Sequence, residues 1–291
     1  MLNLSLSDLC GVSPLPSAYG VLGDPIAHSR SPAMQQAAFD FYGLSCVYYR
    51  LHIRSSELTL AVSALRGVPF GGWNCTLPHK VAMAGLCDEL APSARQFGSV
   101  NTVVVQNGGW LVGHNTDGLG WSCALRDAFG VGPEHERILL LGAGGAGRAV
   151  AIQALIEGCP QLIIANRNEV RGRELLVELE PFAGSSQIEL TDFSSGLSES
   201  LARSTLVVNA TSAGLDTNAD PILVASQLPS GIRLFDTIYG MGSEKLRMEC
   251  KRANISWCDG LGMLLYQGAE AFRLWTGNEP PLSNMRSALL H

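Results

Sequence analysis

Short β-prone runs alternate with segments of helical periodicity from residue 19 to about residue 115. Apolar runs and period-two patterns predict strands, whereas apolar residues that recur every three or four positions predict helices. The predicted strands are residues 19–22, 46–51 and 72–75, and the predicted helices are residues 32–42, 57–65 and 79–86. Such alternation is typical of a mostly parallel sheet. Residues 102–106 and 110–113 flank Asn107-Gly-Gly109 and predict an antiparallel hairpin instead.

The second part of the chain repeats this alternation around a glycine-rich turn. An apolar run at residues 138–141 leads into the turn at 142–147, and a helical pattern follows over 148–157. Further strands are predicted at 162–165, 206–209 and 234–236, and further helices at 169–179 and 243–253. The last periodic segment, 261–275, is predicted to cross back to the first unit. The alternation of strands and helices predicts an α/β protein. Because 291 residues is about twice the length of a usual domain, two domains are predicted.

Composition narrows the class of protein. Apolar residues make up 46% and charged residues 16%, which favours a compact chain over a disordered one. Twenty basic against 26 acidic residues, without a block of like charge, predict no binding surface for nucleic acid or an anionic membrane. The apolar stretch 138–156 is interrupted by glycines and by Arg148, so it is not a predicted membrane span. No basic residue precedes Arg30, so a signal peptide is not predicted and a cytoplasmic location is expected.

The eight cysteines show no Cys-x-x-Cys pair and no Cys/His ligand spacing. Such scattered cysteines predict neither a disulfide framework nor a metal site. We expect them to be free thiols of a protein that folds in a reducing compartment.

Residues 142–147 read Gly-Ala-Gly-Gly-Ala-Gly and match the glycine spacing of a dinucleotide-binding turn. Such glycines permit a tight bend, a close approach to pyrophosphate and close packing of the following helix. The turn lies between a predicted strand and a predicted helix, so a pyrophosphate would meet the positive end of that helix. The alternative is a plain glycine turn. We predict a nucleotide site formed by Gly142, Ala143, Gly144, Gly145, Ala146 and Gly147.

The residues beyond this turn bear on which nucleotide binds. An NAD site places an acidic residue on the ribose about 20 positions further on. This chain has Asn166-Arg-Asn168 there, with Arg171 one helical turn later. Guanidinium groups donate planar, charge-assisted hydrogen bonds to phosphate, so Arg167 and Arg171 favour NADP. The alternative is a pair of solvated arginines at the start of a surface helix. The acidic residue Glu169 lies between them and weakens the predicted preference for NADP over NAD.

Two candidates for proton transfer occur in short polar segments. Only three of the 20 basic residues are lysines, and one of them, Lys80, ends the segment Asn74-Cys-Thr-Leu-Pro-His-Lys80. It lies near the predicted start of a helix, where the dipole disfavours a cation and so favours proton exchange near neutrality. Asp117 lies in Asn115-Thr-Asp-Gly118, a setting in which an aspartate is more often a turn residue or a helix cap.

Ser29 and Ser31 precede a predicted helix in the segment Ser29-Arg-Ser-Pro32. Ser31 as the N-cap, with Pro32 at the first helical position, explains half of this segment on structural grounds. Ser29 is left over. Two hydroxyls at a helix N-terminus also form a site for a carboxylate, because both can donate and the dipole favours an anion.

Taken in order along nearly the whole chain, these segments resemble the shikimate dehydrogenase family. The matching segments are residues 20–32, 74–80, 99–102, 113–120, 142–147, 166–167, 209–211, 236–239 and 260–267. The resemblance implies an α/β substrate-binding domain, residues 1–116 plus 256–291, and a Rossmann-type NADP-binding domain, residues 117–255. It also implies an active site in the cleft between these domains.

The resemblance further implies roles for side chains at the matching positions. Ser29, Ser31 and Tyr239 would hold the substrate carboxylate, and the ring hydroxyls would contact Asn74, Thr76, Asn101 and Gln267. Lys80 and Asp117 would form the catalytic pair, with Lys80 as the better general base and Asp117 as the orienting group. Which of the two takes the proton is left open. The cofactor would contact residues 142–147 together with Asn166, Arg167, Asn168, Arg171, Thr211, Gly260 and Met263.

Three segments depart from the family pattern. Gln35-Gln36 stands where His-Asn is usual, and residues 240–245 replace the usual proline-bearing stretch after Tyr239. Asn168 stands where a threonine is common. These departures leave the chemistry intact but leave the choice of substrate open.

The implied function is that of an NADP-dependent oxidoreductase, a monomer or homodimer, that interconverts shikimate and 3-dehydroshikimate in chorismate and aromatic amino acid biosynthesis. A member of the family with relaxed specificity, acting on quinate or another cyclic hydroxy acid, is one alternative. A ligand-sensing homologue without turnover is the other. Against it stand Lys80, Asp117 and the two arginines of the predicted phosphate site, all of which this chain retains.

Overall fold

The chain folds into two compact units, as described by a computed structural model. The structure describes residues 3–9, 17–193, 196–211, 223 and 227–290. The first unit comprises Met1–Thr116 and Gln267–His291, and the second comprises Asp117–Tyr266. Residues 256–266, expected in the first domain, lie in the second unit because a strand within them pairs with the sheet of that unit.

The first unit contains a seven-stranded sheet. Its strands are β1 (Asn3–Ser5), β2 (Ala18–Gly23), β3 (Val47–His52), β4 (Phe70–Cys75), β5 (Glu89–Leu90), β6 (Thr102–Val105) and β7 (Leu111–His114). Its helices are α1 (Leu6–Leu9), α2 (Ser31–Phe41), α3 (Leu58–Arg66), α4 (Lys80–Ala84), α5 (Pro92–Phe97), the end of α11 (Leu261–Thr276) and α12 (Leu282–Leu290).

The strand order of this sheet is β1-β3-β2-β4-β6-β7-β5. Strands β1 to β4 pair in parallel, and β6 is antiparallel to both β4 and β7. The predicted parallel sheet and the predicted hairpin are both confirmed. They join in one sheet through the pairing of β4 with β6.

The two faces of this sheet bury different side chains. On one face the apolar stripe of α3, formed by Leu58, Ala61, Val62 and Leu65, packs with sheet residues such as Leu51. These α3 positions follow the three- and four-residue spacing of one helical face. The other face carries aromatic side chains in contact with one another, namely Tyr19, Phe39, Phe272 and Trp275. Trp275 also donates its indole N–H to the carbonyl of Val103 at 2.9 Å.

The second unit contains a parallel six-stranded sheet. Its strands are β8 (Arg137–Leu141), β9 (Gln161–Ala165), β10 (Gln187–Thr191), β11 (Leu206–Asn209), β12 (Arg233–Asp236) and β13 (Ser256–Cys258). Its helices are α6 (Asp117–Phe129), α7 (Gly145–Ile156), α8 (Glu169–Leu179), α9 (Leu197–Arg203), α10 (Glu244–Ala253) and the start of α11.

The strand order β10-β9-β8-β11-β12-β13 is the 3-2-1-4-5-6 order of a Rossmann fold. Every pair of neighbouring strands is parallel. The order reverses between β8 and β11, and ligands of such sheets bind outside the carboxyl ends of the strands at that point. The predicted Rossmann-type unit is therefore confirmed, and the topology indicates which edge of it binds a ligand.

Several elements were not predicted from the sequence, among them α6, β10, β13 and α12. In α6, Gly118 and Gly120 occupy the first turn, where weak helix formers conceal the helical pattern. Strand β13 has only three residues, which is too short for a periodic signal. The predicted helix 79–86 is shorter than expected and spans only Lys80–Ala84.

Within the described part of the chain, no helix is both long enough and apolar enough to cross a membrane. The same residues contain no group of three or more His, Cys, Asp and Glu side chains placed to hold a metal ion. Seven cysteines are described and all are free thiols, as predicted. Cys10 lies outside the described residues.

Candidate active site

The serine segment leads into α2 in the first unit. The helix begins at Ser31, and Arg30 occupies the cap position without a capping hydrogen bond from its side chain, so the predicted N-cap role of Ser31 is wrong. A turn in which the Ser29 N–H donates to Ile26 O brings Ser29 Oγ to 3.3 Å from the N–H of Ser31. Among the described residues neither serine hydroxyl donates a hydrogen bond to the protein. Both hydroxyl protons therefore remain available to an anionic ligand.

Asn74 lies on β4 and is held by three partners in the first unit. The buried Tyr48 hydroxyl donates to Asn74 Oδ1 at 2.7 Å. Asn74 Nδ2 donates to Thr102 Oγ1 at 2.9 Å and to the carbonyl of Asn101 at 3.2 Å. Both donors of the amide are thus engaged, and a ligand hydroxyl would use the second lone pair of Oδ1.

Asn101 is the centre of a second, buried hydrogen-bond cluster in the same unit. Its Oδ1 accepts from the backbone N–H of Thr116 at 2.9 Å, and its Nδ2 lies 3.2 Å from Gln267 Oε1. Thr116 Oγ1 also donates to the backbone carbonyl of Gln267 at 3.1 Å. Since Gln267 Oε1 is engaged, its Nε2 is the end of the side chain left for a ligand.

Lys80 and Thr76 lie around the turn after β4. The Thr76 N–H donates to Leu22 O at 2.9 Å, and Thr76 O accepts from His79 N at 2.9 Å. Lys80 is half-buried and is the first residue of α4, and its carbonyl accepts from the N–H of Val100 at 2.8 Å. Because α4 has only five residues, its dipole at Lys80 is weaker than the sequence pattern suggested.

Asp117 is the first residue of α6 in the second unit, and its side chain is buried. Asp117 is thus a helical residue and occupies neither the turn position nor the cap position considered from the sequence. A carboxylate at the first turn is favoured by the helix dipole. Burial of a carboxylate is costly unless the group is paired or hydrogen-bonded.

The glycine turn joins β8 to α7 in the second unit. Gly142 has φ +102°, and a Cβ there would lie 2.9 Å from Ala210 O. A Cβ at Gly147 would lie 2.0 Å from Gly142 O, so the helix packs too closely for any side chain. By contrast, a Cβ at Gly144 or Gly145 would meet nothing within 4 Å. The structure thus has two glycines that allow close packing and two that leave open space at the helix start.

Asn166 ties this turn to the segment after β9. Its Oδ1 accepts from the N–H of Ala143 at 3.0 Å, and its Nδ2 donates to Asn168 O at 2.7 Å. Asn168 caps α8 by accepting from the N–H of Arg171 at 3.1 Å. The N–H of Ala143 and the side chain of Asn168 therefore serve the local structure.

Arg167 and Arg171 are exposed at the start of α8. In the part of the chain that the structure describes, neither guanidinium has a hydrogen-bond or ion-pair partner. Glu169, the residue that complicated the NADP preference, pairs with Arg173 instead. Two uncompensated guanidinium groups beside the glycine turn fit a phosphate ester.

A buried polar network joins the ends of β11 and β12. Asp236 Oδ1 accepts from Asn209 Nδ2 at 3.0 Å and from the N–H of Ile238 at 3.1 Å. Asn209 Oδ1 in turn accepts from Thr211 Oγ1 at 2.8 Å. This network positions Thr211 and the segment that leads to Tyr239.

Gly260 and Met263 lie just beyond β13. The N–H of Gly260 donates to Ile238 O at 3.0 Å, and a Cβ at Gly260 would lie 2.2 Å from Thr237 O. Met263 is buried in the first turn of α11. Both residues follow the carboxyl end of β13 along the chain, and Tyr239 follows that of β12.

We expect the ionisation of Asp236 to make the stability of the fold depend on pH. Burial raises the pKa of this carboxyl to about 7, because desolvation and nearby Asp259 outweigh the two hydrogen bonds that it accepts. The folded state then holds the proton more tightly than the unfolded state does. The stability that this group contributes is fully present below about pH 4 and is lost as the pH rises through 7.

In Asp236→Asn, this pH dependence is expected to disappear, because the amide resembles the protonated acid in shape. Between pH 5 and pH 8 the wild-type protein should lose roughly 2 to 3 kcal/mol more unfolding free energy than the variant. Denaturant unfolding of both proteins at the two pH values measures this difference. Parallel pH profiles would contradict it.

The predicted site residues fall into two groups by unit. The first unit contains Lys80, Ser29, Ser31, Asn74, Thr76, Asn101 and Gln267. Of these, Asn74, Asn101 and Gln267 belong to the two hydrogen-bond clusters. The second unit contains Asp117, Tyr239 and all predicted cofactor residues. Sequence reasoning missed Tyr48, Thr116 and the pairing of Asn209 with Asp236. For Tyr48 the sequence held one usable signal, the alternation of side chains along β3, which puts Tyr48 on the face opposite Tyr49. The other two had none.

Family models match three parts of the chain. A model of the shikimate dehydrogenase substrate binding domain matches residues 21–103. A model described as shikimate / quinate 5-dehydrogenase matches residues 126–225. A model of the shikimate 5'-dehydrogenase C-terminal domain matches residues 260–290.

Relatives and solved structures agree with these matches. The chain is 38% identical to a shikimate dehydrogenase (NADP(+)) of Methanosarcina barkeri over 94% of its own length and 97% of that protein. It is 36% identical to shikimate 5-dehydrogenase of Thermus thermophilus, solved with NADP(H) and shikimate, at a TM-score of 0.80 and coverages of 94% and 98%. It is 31% identical to quinate dehydrogenase of Corynebacterium glutamicum, solved with NAD, at a TM-score of 0.86 and coverages of 94% and 98%. With the fold and the site described above, these matches show that the chain belongs to the shikimate dehydrogenase family.

Proposed function

We propose that this protein is an NADP-dependent oxidoreductase that interconverts shikimate and 3-dehydroshikimate. The observation that carries the proposal is the pair of exposed, uncompensated guanidinium groups of Arg167 and Arg171 beside the glycine turn. It supports NADP rather than NAD, and the related protein of Methanosarcina barkeri is named an NADP(+) enzyme. The reaction belongs to chorismate and aromatic amino acid biosynthesis.

The second unit fits the cofactor. The first N–H groups of a helix lack intrahelical partners, so the start of α7 offers donors to a pyrophosphate at the open space around Gly144 and Gly145. Arg167 and Arg171 would hold the 2′-phosphate by charge-assisted hydrogen bonds. When bound, NADP supplies the nicotinamide that accepts or returns a hydride.

The first unit fits a cyclic hydroxy acid. Ser29 and Ser31 keep their hydroxyl protons for the substrate carboxylate, and Tyr239 of the second unit is proposed to assist them. The ring hydroxyls would contact Asn74, Thr76, Asn101 and Gln267. The amide clusters around Asn74 and Asn101 hold these side chains in one orientation, which reduces the entropy lost on binding.

Lys80 is the proposed general base. The hydroxyl at the reacting carbon must lose its proton as the hydride leaves, and an amine is a stronger base than a carboxylate. Asp117 is proposed to orient the hydroxyl and the ammonium group that Lys80 becomes.

The experiment that tests this function measures nicotinamide absorbance with the purified protein. NADP and NAD are each combined with shikimate and with quinate. We expect fast reduction with NADP and shikimate, and at least tenfold lower kcat/KM for every other pairing. Turnover mainly with quinate or with NAD would replace the proposed specificity, and no turnover in any pairing would overturn the proposed activity.

Quinate stays the second candidate because the structurally similar enzyme of Corynebacterium glutamicum is a quinate dehydrogenase. Quinate carries an additional ring hydroxyl, which must find a hydrogen-bond partner or be rejected. The shikimate-to-quinate ratio of kcat/KM therefore decides between the two.

We also propose that the protein is cytoplasmic and a monomer or homodimer, and that it has no nucleic-acid partner, as expected from its charge distribution. Light scattering after size-exclusion chromatography measures the oligomeric state.

A further inference from the structure

Arg50 shares a row of the first sheet with side chains of the proposed substrate site. Val21 on β2 is in register with Arg50 on β3 and with Asn74 on β4. Asn74 is in register with Thr102 on β6. Paired residues of neighbouring strands lie about 5 Å apart and project to the same face. Arg50 therefore lies two strands from Asn74 on the face that carries the proposed ligand contacts.

The Arg50 side chain extends to the serine segment at the start of α2. Its Nε and Nη2 donate to the carbonyl of Ser29 at 3.1 and 2.6 Å. This bidentate contact places a permanent positive charge at the residue whose hydroxyl is proposed to hold the substrate carboxylate. Both Arg50 and Ser29 are half-buried, so the charge is only partly screened by solvent.

No carboxylate of the described residues lies within ion-pair distance of the Arg50 guanidinium, and its Nη1 has no hydrogen-bond partner among them. Two basic side chains close to Arg50 along the chain do have an acidic partner. His52 on the same strand contacts Asp24 at 2.8 Å, and Arg54 pairs with Glu57 at 2.6 Å. Arg50 thus lacks an acidic partner among the described residues, in contrast to His52 and Arg54 on and just beyond the same strand.

We propose that Arg50 is a further substrate-binding and specificity-determining residue, which supplies the positive charge for the substrate carboxylate and holds the Ser29 carbonyl in place. The inference rests on the proposed function, since it assumes that the acid group of the substrate lies at Ser29 and Ser31. Serine hydroxyls donate hydrogen bonds but carry no charge. Arg50 therefore selects an anionic acid over a neutral analogue that fills the same volume.

The test compares shikimate with its methyl ester, which keeps the ring hydroxyls and removes the negative charge. Arg50→Gln keeps a side-chain donor for Ser29 O and removes the positive charge. We expect this variant to raise the KM for shikimate about tenfold, with kcat and the KM for the ester changed less than twofold. Arg50→Lys keeps the charge and should restore most of the affinity for the acid.

Arg54→Gln is the matched control, because it removes a positive charge from the same unit at a residue that already has an acidic partner. Its KM for shikimate should equal the wild-type value. Since KM does not depend on the fraction of folded enzyme, partial misfolding of a variant does not imitate the expected result.

Equal changes for acid and ester in Arg50→Gln, or no change for the acid, would overturn the inference and leave Arg50 as a structural contact of Ser29. The proposed function is judged separately, by turnover of the wild-type protein. If the wild-type protein prefers quinate, quinate and its ester replace shikimate in the same comparison. Calorimetric titration of acid and ester reports on Arg50 even without turnover, and a wild-type protein that binds neither acid contradicts both proposals.

Discussion

Lys80→Ala is expected to lower kcat for shikimate oxidation by about 10³-fold, within the range for loss of a general base. The affinity for shikimate should change only a few-fold, because the carboxylate and ring contacts lie elsewhere. Steady-state kinetics with NADP measures kcat, and calorimetric titration of shikimate measures the affinity. The loss should appear in kcat and kcat/KM alike, as expected for an interaction made in the transition state.

The chain offers a close control for this substitution, since it contains only three lysines. Lys251 is exposed on α10, and Lys251→Ala should keep wild-type kinetics. Near-normal turnover in Lys80→Ala would refute the base role and transfer it to Asp117. Asp117→Asn then becomes informative, because an orienting residue should reduce kcat less than the base does and leave the pH profile of kcat in place.

Replacing both Arg167 and Arg171 by glutamine is expected to raise the KM for NADP by about 10²-fold, since each charge-assisted hydrogen bond contributes roughly 1.5 to 3 kcal/mol and part is recovered by solvent. The KM for NAD, which lacks the 2′-phosphate, should be unchanged or lower. Kinetics with each nucleotide at saturating shikimate measures both values. The ratio of the KM for NADP to the KM for NAD reports the contact with the 2′-phosphate alone.

Arg173→Gln is the control on the same helix, because Arg173 pairs with Glu169 and is not proposed to contact the cofactor. Its KM for NADP should stay within twofold of the wild-type value. Equal losses for NADP and NAD in the double variant would mean that the arginines stabilise α8 rather than bind phosphate.

The two substitutions probe different units of the chain. Lys80 belongs to the first unit, and the arginines belong to the second. A protein that loses NADP preference but keeps its kcat, and another that loses kcat but keeps its NADP preference, would separate hydroxyl chemistry from cofactor choice.

Much of the second unit was predictable because its signals are local. The strand β8, the glycine turn and the helix α7 follow one another directly along the chain. The predicted strands 162–165 and 206–209 agree closely with β9 and β11. Helix α6 was missed because its first turn carries Gly118 and Gly120, and its burial against the unit outweighs their poor helix propensity.

The serine segment shows how a correct motif can carry a wrong local assignment. The residue types of the Ser31-Pro32 pair alone favoured Ser31 as the cap of α2. In the structure the turn from Ile26 to Ser29 supplies the Ser29 hydroxyl to the N–H of Ser31 instead. Backbone geometry several residues upstream, rather than the Ser-Pro pair, decides which hydroxyl is used.

The sequence by itself determined the α/β class, the order of most elements and the nucleotide turn. It also showed that arginine rather than an acidic residue follows the second strand of the nucleotide-binding unit. These features depend on periodicity and on neighbouring residues, so they are legible along the chain. Only the tertiary structure decided that Tyr48 orients Asn74, that Asn209 holds Asp236, and that Arg50 reaches Ser29. Each of these pairs depends on strand register or on the meeting of segments at strand ends, which is set by how buried faces pack rather than by spacing in the sequence.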